Sequence, residues 1–136
     1  MALKLKKTVK QLCEEAEKEI QTLSARDAIA IRDDPGVVLV DLRDIRELQR
    51  EGRVPGAFHA PRGMLEFWVD PESPYYKDLF GSGKRFVFFC AGGLRSALAT
   101  QTVQRMGLEP VCHIGGGFRA WKEAGGPVDM PEKQSA

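Results

Sequence analysis

The 136-residue chain has too few cysteines, too irregularly placed, for a disulfide or zinc framework: Cys13, Cys90 and Cys112 are an odd number with no short paired spacing. Histidine is scarcer still, with only His59 and His113, so no metal site is indicated and no cofactor is expected. An excess of one charge is also missing. Lys and Arg total 20 against 19 Asp and Glu, a net charge of +1, so no whole-molecule field draws nucleic acid or an anionic membrane. Any preference for anions must be local. No apolar run approaches the roughly 18 residues of a membrane span. The four lysines of Met1–Lys10 lead into Cys13–Ile20, which is dense in Glu and Lys, where a leader would be apolar. The expected compartment is therefore cytoplasmic. The length fits one domain with one core, and 43% hydrophobic with 29% charged residues is ordinary for a globular protein.

What the chain does have is Phe86-Val87-Phe88-Phe89-Cys90-Ala91-Gly92-Gly93-Leu94-Arg95-Ser96. A Phe-rich apolar run reads as a buried strand that delivers Cys90 to its C-terminal end, before a small-residue loop and a helix starting near Ser96. Four residues separate Cys90 from Arg95, two of them glycines, so the loop can curl and point several backbone N–H groups at the sulfur. The helix N-terminus adds partial positive charge and Arg95 a full one. Both favour the thiolate, so Cys90 is expected to be a nucleophile.

The rest of the chain alternates helices and strands. Lys4–Ile20 carries Leu5, Val9, Leu12, Ala16 and Ile20 near helical spacing, with Cys13 half-buried beside that stripe. Ile20–Leu23 reads as a short edge strand. Ser24 caps a helix through Ile31. Val37-Val38-Leu39-Val40 has the continuous apolar character of a parallel strand buried on both faces, and it places Asp41 and Arg43 at the same sheet edge as Cys90. A helix over Ile45–Arg50 closed by Gly52, a short strand through His59, short helical turns over Pro61–Trp68 and Tyr75–Phe80, a helix over Ser96–Met106, a strand over Val111–Ile114 and a helix over Phe118–Ala124 complete the pattern. Residues from Pro131 onward read as a polar, frayed tail. This alternation predicts a three-layer α/β fold with a mostly parallel sheet.

Three separated signatures occur in order: Val37–Arg43 leading to Gly52-Arg53-Val54-Pro55-Gly56-Ala57, the Cys90 loop, and Gly116-Gly117-Phe118-Arg119-Ala120-Trp121-Lys122. Together they resemble a single-domain rhodanese from about Ser24 to Val128, with residues 1–23 as a helical extension and 129–136 as a tail. The resemblance implies a five-stranded parallel sheet flanked by helices. It also implies a sulfurtransferase. Cys90 would carry a persulfide, taking sulfane sulfur from a small-molecule donor such as thiosulfate and passing it to cyanide, a thiol or a protein acceptor. The backbone N–H groups of Ala91, Gly92, Gly93, Leu94, Arg95 and Ser96 would bind the donor and terminal sulfur, with Arg95 holding the loop closed and Ser96 starting the helix. Two departures stand out. Arg53 replaces a His found in many relatives, and neither Ala91 nor Gly92 is the cation that would favour thiosulfate.

Two rival readings follow from the same residues. One is phosphatase or arsenate reductase chemistry, but dual-specificity phosphatases of the related cell-cycle type place five residues between Cys and Arg, giving a wider cradle for phosphate than the four here. A non-catalytic rhodanese-like interaction module usually loses the cysteine or the loop, and both are present. Of the other residues, Asp41 and Arg43 are expected to brace the crevice, Cys112 and Trp121 to pack in the core, and His59 to make a local hydrogen bond. Cys112 and His113 alternate to opposite faces, which argues against a dyad between them. Phe67, Trp68, Tyr75 and Tyr76 are candidates to wall the crevice.

Overall fold

The computed structural model describes residues 3–131, so the expected tail beyond residue 131 lies outside the described residues. Five parallel strands in the order β1-β5-β4-β2-β3 form one sheet: β1 Thr22–Leu23, β2 Val37–Asp41, β3 Phe58–His59, β4 Arg85–Phe89 and β5 Val111–Ile114. The helices are α1 Val9–Glu19, α2 Ala25–Ala30, α3 Ile45–Glu51, α4 Leu65–Val69, α5 Leu94–Met106 and α6 Gly117–Glu123, with short 3₁₀ turns at Arg62–Met64 and Asp78–Gly81.

Alternation along the central strands builds two apolar layers. Phe86 and Phe88 of β4 join Val40, Leu65, Phe80, Ala99 and Val103 on the α4/α5 side. Val87 and Phe89 join Leu39, Ala28, Cys112, Phe118 and Trp121 on the α2/α6 side. Each fully buried Phe contributes roughly 2–3 kcal/mol of apolar burial, which fixes the register of β4 and so the exit point of the chain at Cys90. Trp121 is buried as expected, its indole N–H donating to the Pro127 carbonyl at 2.8 Å.

The N-terminal helix differs from its expected form. It begins at Val9 because Thr8 and Gln11 form a reciprocal capping box. Its buried residues are Cys13 and Ala16, while Leu5, Val9 and Leu12 are exposed. Small side chains let α1 lie close on α5, and this contact turns Cys13 fully inward, so it is not half-buried. Its thiol donates to the Leu94 carbonyl at 3.7 Å. At the other end of the chain, Asp129 pairs with Arg53 in an antiparallel bridge, N–H to O=C at 2.9 and 2.8 Å. Arg53 is thus an exposed anchor for the returning chain.

Candidate active site

Cys90 leaves the end of β4 with 1% of its surface exposed. Its sulfur accepts hydrogen bonds from the Gly93 amide at 3.2 Å and the Ser96 amide at 3.4 Å, and lies 3.6 Å from Ser96 Oγ. Two loop amides therefore reach the sulfur, fewer than the loop could present. Gly93 makes this possible: at φ +107 it turns the chain so that its own N–H points inward, while its carbonyl accepts the first α5 hydrogen bond from the Ala97 amide at 3.1 Å. The helix consequently starts at Leu94, and Ser96 sits inside its first turn with the side chain buried against Cys90. Ala91 is half-buried, while Gly92 and Leu94 face solvent.

The loop is gripped from both sides. On one side, the amides of Phe118 and Arg119 at the start of α6 donate to the carbonyls of Cys90 (2.8 Å) and Ala91 (3.1 Å). Gly117, at φ +59, allows this approach, because a Cβ there would meet the carbonyl oxygens of both Cys90 and Ala91. Gly117→Ala is therefore expected to cost about 2–3 kcal/mol in urea denaturation, from the left-handed backbone and the displaced loop together. On the other side, Arg95 makes a two-pronged ion pair with Glu47 of α3, at 2.9 and 3.0 Å. Arg95 thus ties the start of α5 to α3, with its charge matched. The Glu47 carboxylate raises the pKa of Arg95, with the Cys90 sulfur acting in the same direction, and Arg95 in turn holds the Glu47 carboxyl below the usual range. Glu47 also caps α3 by accepting from the Asp44 amide at 2.8 Å. The spacing Asp44-x-x-Glu47 was the visible signal for that residue.

Asp41 and Arg43 form an ion pair at the C-terminal end of β2. Both are buried, joined through Nε–Oδ1 at 3.0 Å and Nη2–Oδ2 at 2.8 Å. Arg43 also donates to the Gly52 carbonyl at 2.9 Å and lays its guanidinium 4.0 Å above the Phe118 ring. His59 donates from Nε2 to the Arg43 carbonyl at 2.7 Å, the local hydrogen bond expected of it. The first and third sequence signatures therefore meet: Arg43 supports Phe118, whose amide holds Cys90.

A cleft of about 210 Å³ opens beside the loop, lined by Glu47, Glu51, Ala91, Phe118, Arg119 and Lys122. The cations absent from positions 91 and 92 are thus supplied by α6, a long-range placement that spacing within the loop cannot reveal. Of the four candidate aromatics, Trp68 packs edge-on to Phe58 against the α4/α5 core. Tyr76 lines a different cavity with Phe80, Met106 and Leu108, at the C-terminal end of α5. The Cys90 loop feeds the other end of that 13-residue helix, roughly 20 Å away. Phe67 and Tyr75 form an exposed edge-to-face pair.

His113 is the residue whose partners the sequence does not reveal. It is fully buried, 2.9 Å by Nδ1 from Ser96 Oγ and 3.1 Å by Nε2 from Thr22 Oγ1. Burial alone pushes its imidazole down to about 4. Cys112 points to the opposite face, and burial raises its thiol. Burial also raises the thiol of Cys13, followed by the nearby charges of Glu17 and Cys90.

The model of the Rhodanese-like domain matches residues 24–124. The chain belongs to the rhodanese-like domain family. This rhodanese-like chain is similar at 53% identity, with a TM-score of 0.92, to a Rhodopseudomonas palustris protein of unknown function described as a possible tyrosine phosphatase, over 95% of this chain and 99% of that one. It is similar at 28% identity, with a TM-score of 0.67, to the polysulfide-sulfur transferase of Wolinella succinogenes, over 91% of this chain and 88% of that one. Thiosulfate sulfurtransferase/rhodanese-like domain-containing protein 3 of the mouse is 26% identical over 101 residues, 71% of this chain. The rhodanese-like chain spans 64% of that protein's length and 55% of the length of a Synechocystis relative. Among the described residues, no helix is long and apolar enough to cross a membrane.

Proposed function

We propose that the chain is a sulfurtransferase that moves sulfane sulfur through a persulfide on Cys90. The observation that carries this reading is the Cys90 sulfur held by the Gly93 and Ser96 amides inside a loop with only four residues between Cys and Arg. Such a cradle suits a single sulfur atom carrying negative charge.

In the first half-reaction the Cys90 sulfur attacks the outer sulfur of a donor such as thiosulfate. The donor S–S bond breaks and sulfite leaves with the electron pair. In the second, cyanide or a thiol attacks the outer sulfur of the Cys90 persulfide, and the Cys90 thiolate leaves. Cys90 itself is buried, so reagents approach over the small side of the loop at Ala91 and Gly92. There Arg119 and Lys122 supply the positive charge that an anionic donor needs, since Arg95 neutralises Glu47. A thiol on a cytoplasmic protein partner is an acceptor of the same chemistry, and neither nucleic acid nor membrane is part of the reading.

Incubation with thiosulfate, followed by mass spectrometry of the intact protein, tests this directly. The expected result is a gain of one sulfur atom (~32 Da) that is absent from Cys90→Ala and removed by cyanide. No gain with thiosulfate, polysulfide or a thiol persulfide would overturn it. The phosphatase description of the R. palustris relative motivates one parallel assay. Release of phosphate from an aryl phosphate, lost in Cys90→Ala, would favour that chemistry instead.

A further inference from the structure

The Cys90 sulfur is buried, and the amides that reach it can only donate, as can the neighbouring Arg95 guanidinium. One chain of exchangeable side chains runs from it to the edge of the sheet. Ser96 Oγ lies 3.6 Å from the sulfur, His113 Nδ1 2.9 Å from that oxygen, and Thr22 Oγ1 3.1 Å from His113 Nε2. Thr22 lies on the edge strand β1 and is exposed to solvent. The parallel register places His113 opposite Phe88, so Cys90, two residues further along, falls on the same face of the sheet. We propose that Ser96, His113 and Thr22 form a proton relay between the Cys90 sulfur and solvent, with His113 as a positioning residue whose tautomer follows the charge on Cys90.

The protons balance without any redox change. With Cys90 as a thiol, S–H donates to Ser96 Oγ, Ser96 O–H donates to His113 Nδ1, and His113 Nε2–H donates to Thr22 Oγ1. On ionisation each link passes one proton outward. The S–H bond breaks as a new Ser96 O–H forms, the former Ser96 proton moves to Nδ1, the Nε2 proton moves to Thr22, and the Thr22 proton goes to water. Every hydrogen bond then runs the other way. Nδ1–H donates to Ser96 Oγ, and the Ser96 hydroxyl donates to the sulfur anion. Return of a proton from solvent resets the chain.

A satisfied buried network needs only that each polar atom has a partner. This one also ends on a nucleophile at one side and on water at the other, and every intervening group both gives and takes a proton. The Ser96 hydroxyl has one other acceptor, the Gly93 carbonyl at 3.3 Å, which is the longer contact. Burial keeps His113 neutral above about pH 5, and no neighbouring charge contributes. The ionisable groups on the elements around it are Arg85 of β4 with Cys90 just past its end, Lys10, Cys13, Glu14, Glu15, Glu17, Lys18 and Glu19 of α1, and Arg95 and Arg105 of α5, which are paired with Glu47 and Glu19. Cys112, its neighbour on β5, lies on the opposite face.

The relay rests on the reading of Cys90 as a reactive thiol, and not on sulfur being the group transferred. Imidazole ¹⁵N–¹H correlation spectra of the wild-type protein, recorded with the thiolate ultraviolet absorbance from about pH 5 to about pH 10, read both partners at once. The expected result is that His113 passes from the Nε2–H to the Nδ1–H tautomer with the same midpoint as thiolate formation, and keeps a single tautomer throughout in Cys90→Ser and in Ser96→Ala. A His113 tautomer that stays fixed while wild-type Cys90 ionises, or that changes equally in Cys90→Ser, overturns the relay. The mass measurement above is independent: failure to gain sulfur with a tautomer switch present would overturn sulfur transfer and leave the relay standing.

Discussion

Arg43→Leu is expected to lower the stability of the fold by about 3–5 kcal/mol, measured by urea denaturation at neutral pH. The substitution keeps apolar bulk but leaves the Asp41 carboxylate buried with, among the described residues, the backbone amide of position 43 as its one remaining partner, at 3.0 Å. Taking a charge out of water is tolerable while a guanidinium faces it in bidentate geometry, and costly once that partner is gone. Against the 5–15 kcal/mol typical of a domain this is a large fraction, so partial unfolding at 37 °C is expected. Arg43→Lys recovers little of it. One ammonium cannot serve Asp41, the Gly52 carbonyl and the Phe118 face together, as the planar guanidinium does. The double variant Asp41→Leu/Arg43→Leu should be more stable than Arg43→Leu alone, because it removes the stranded charge; a double variant as weak as the sum of its parts would contradict this account.

The second large effect is a loss of stability in mild acid. His113 is held neutral in the fold, at about 4 against 6.5 for a free imidazole. Between those values the unfolded chain binds a proton that the folded chain refuses. The stabilisation is therefore complete above about pH 6.5 and is lost as pH falls toward 4. At about 1.36 kcal/mol per pH unit, that gap corresponds to roughly 3 kcal/mol, most of it gone by about pH 4.5. Carboxylates held low by cationic partners, such as Glu47 beside Arg95, add their own loss only at lower pH. His113→Gln should flatten the curve between about pH 6.5 and about pH 4.5, whatever its stability at neutral pH. A wild-type curve with no slope in that window would show that His113 is accessible to protons in the fold.

The parts of the site that sequence makes legible are those in which neighbours in the chain are neighbours in space. Cys90 at a strand end, the glycine that turns its loop, and the Asp41–Arg43 pair two residues apart are local arrangements, and periodicity places them at one sheet edge. What escaped depends on register and helix docking. In the sequence His113 stands beside Cys112, its covalent neighbour, yet the same alternation that separates those two side chains turns His113 toward Ser96, 17 residues away. Arg119 and Lys122 reach the cleft because the α6 amides dock on the loop carbonyls, a contact with no local signature. The apolar stripe of its own helix leaves Cys13 half-buried, whereas its burial is decided by how closely small residues let α1 approach α5. The loop sequence shows the full charge of Arg95 but not Glu47, its partner, which lies 48 residues earlier.

The parallel pairing of β1 with β5, which sets Thr22 opposite His113, also orders events during synthesis. Ribosomal emergence presents β1 early, but its strand partner leaves the exit tunnel only after the other three strands have been made. Until then the Thr22 hydroxyl has no imidazole beside it and the edge of β4 is uncovered. A nascent chain therefore holds Thr22 and the cysteine loop before it holds the imidazole that links them, and the contact between Thr22 and His113 is among the last to mature.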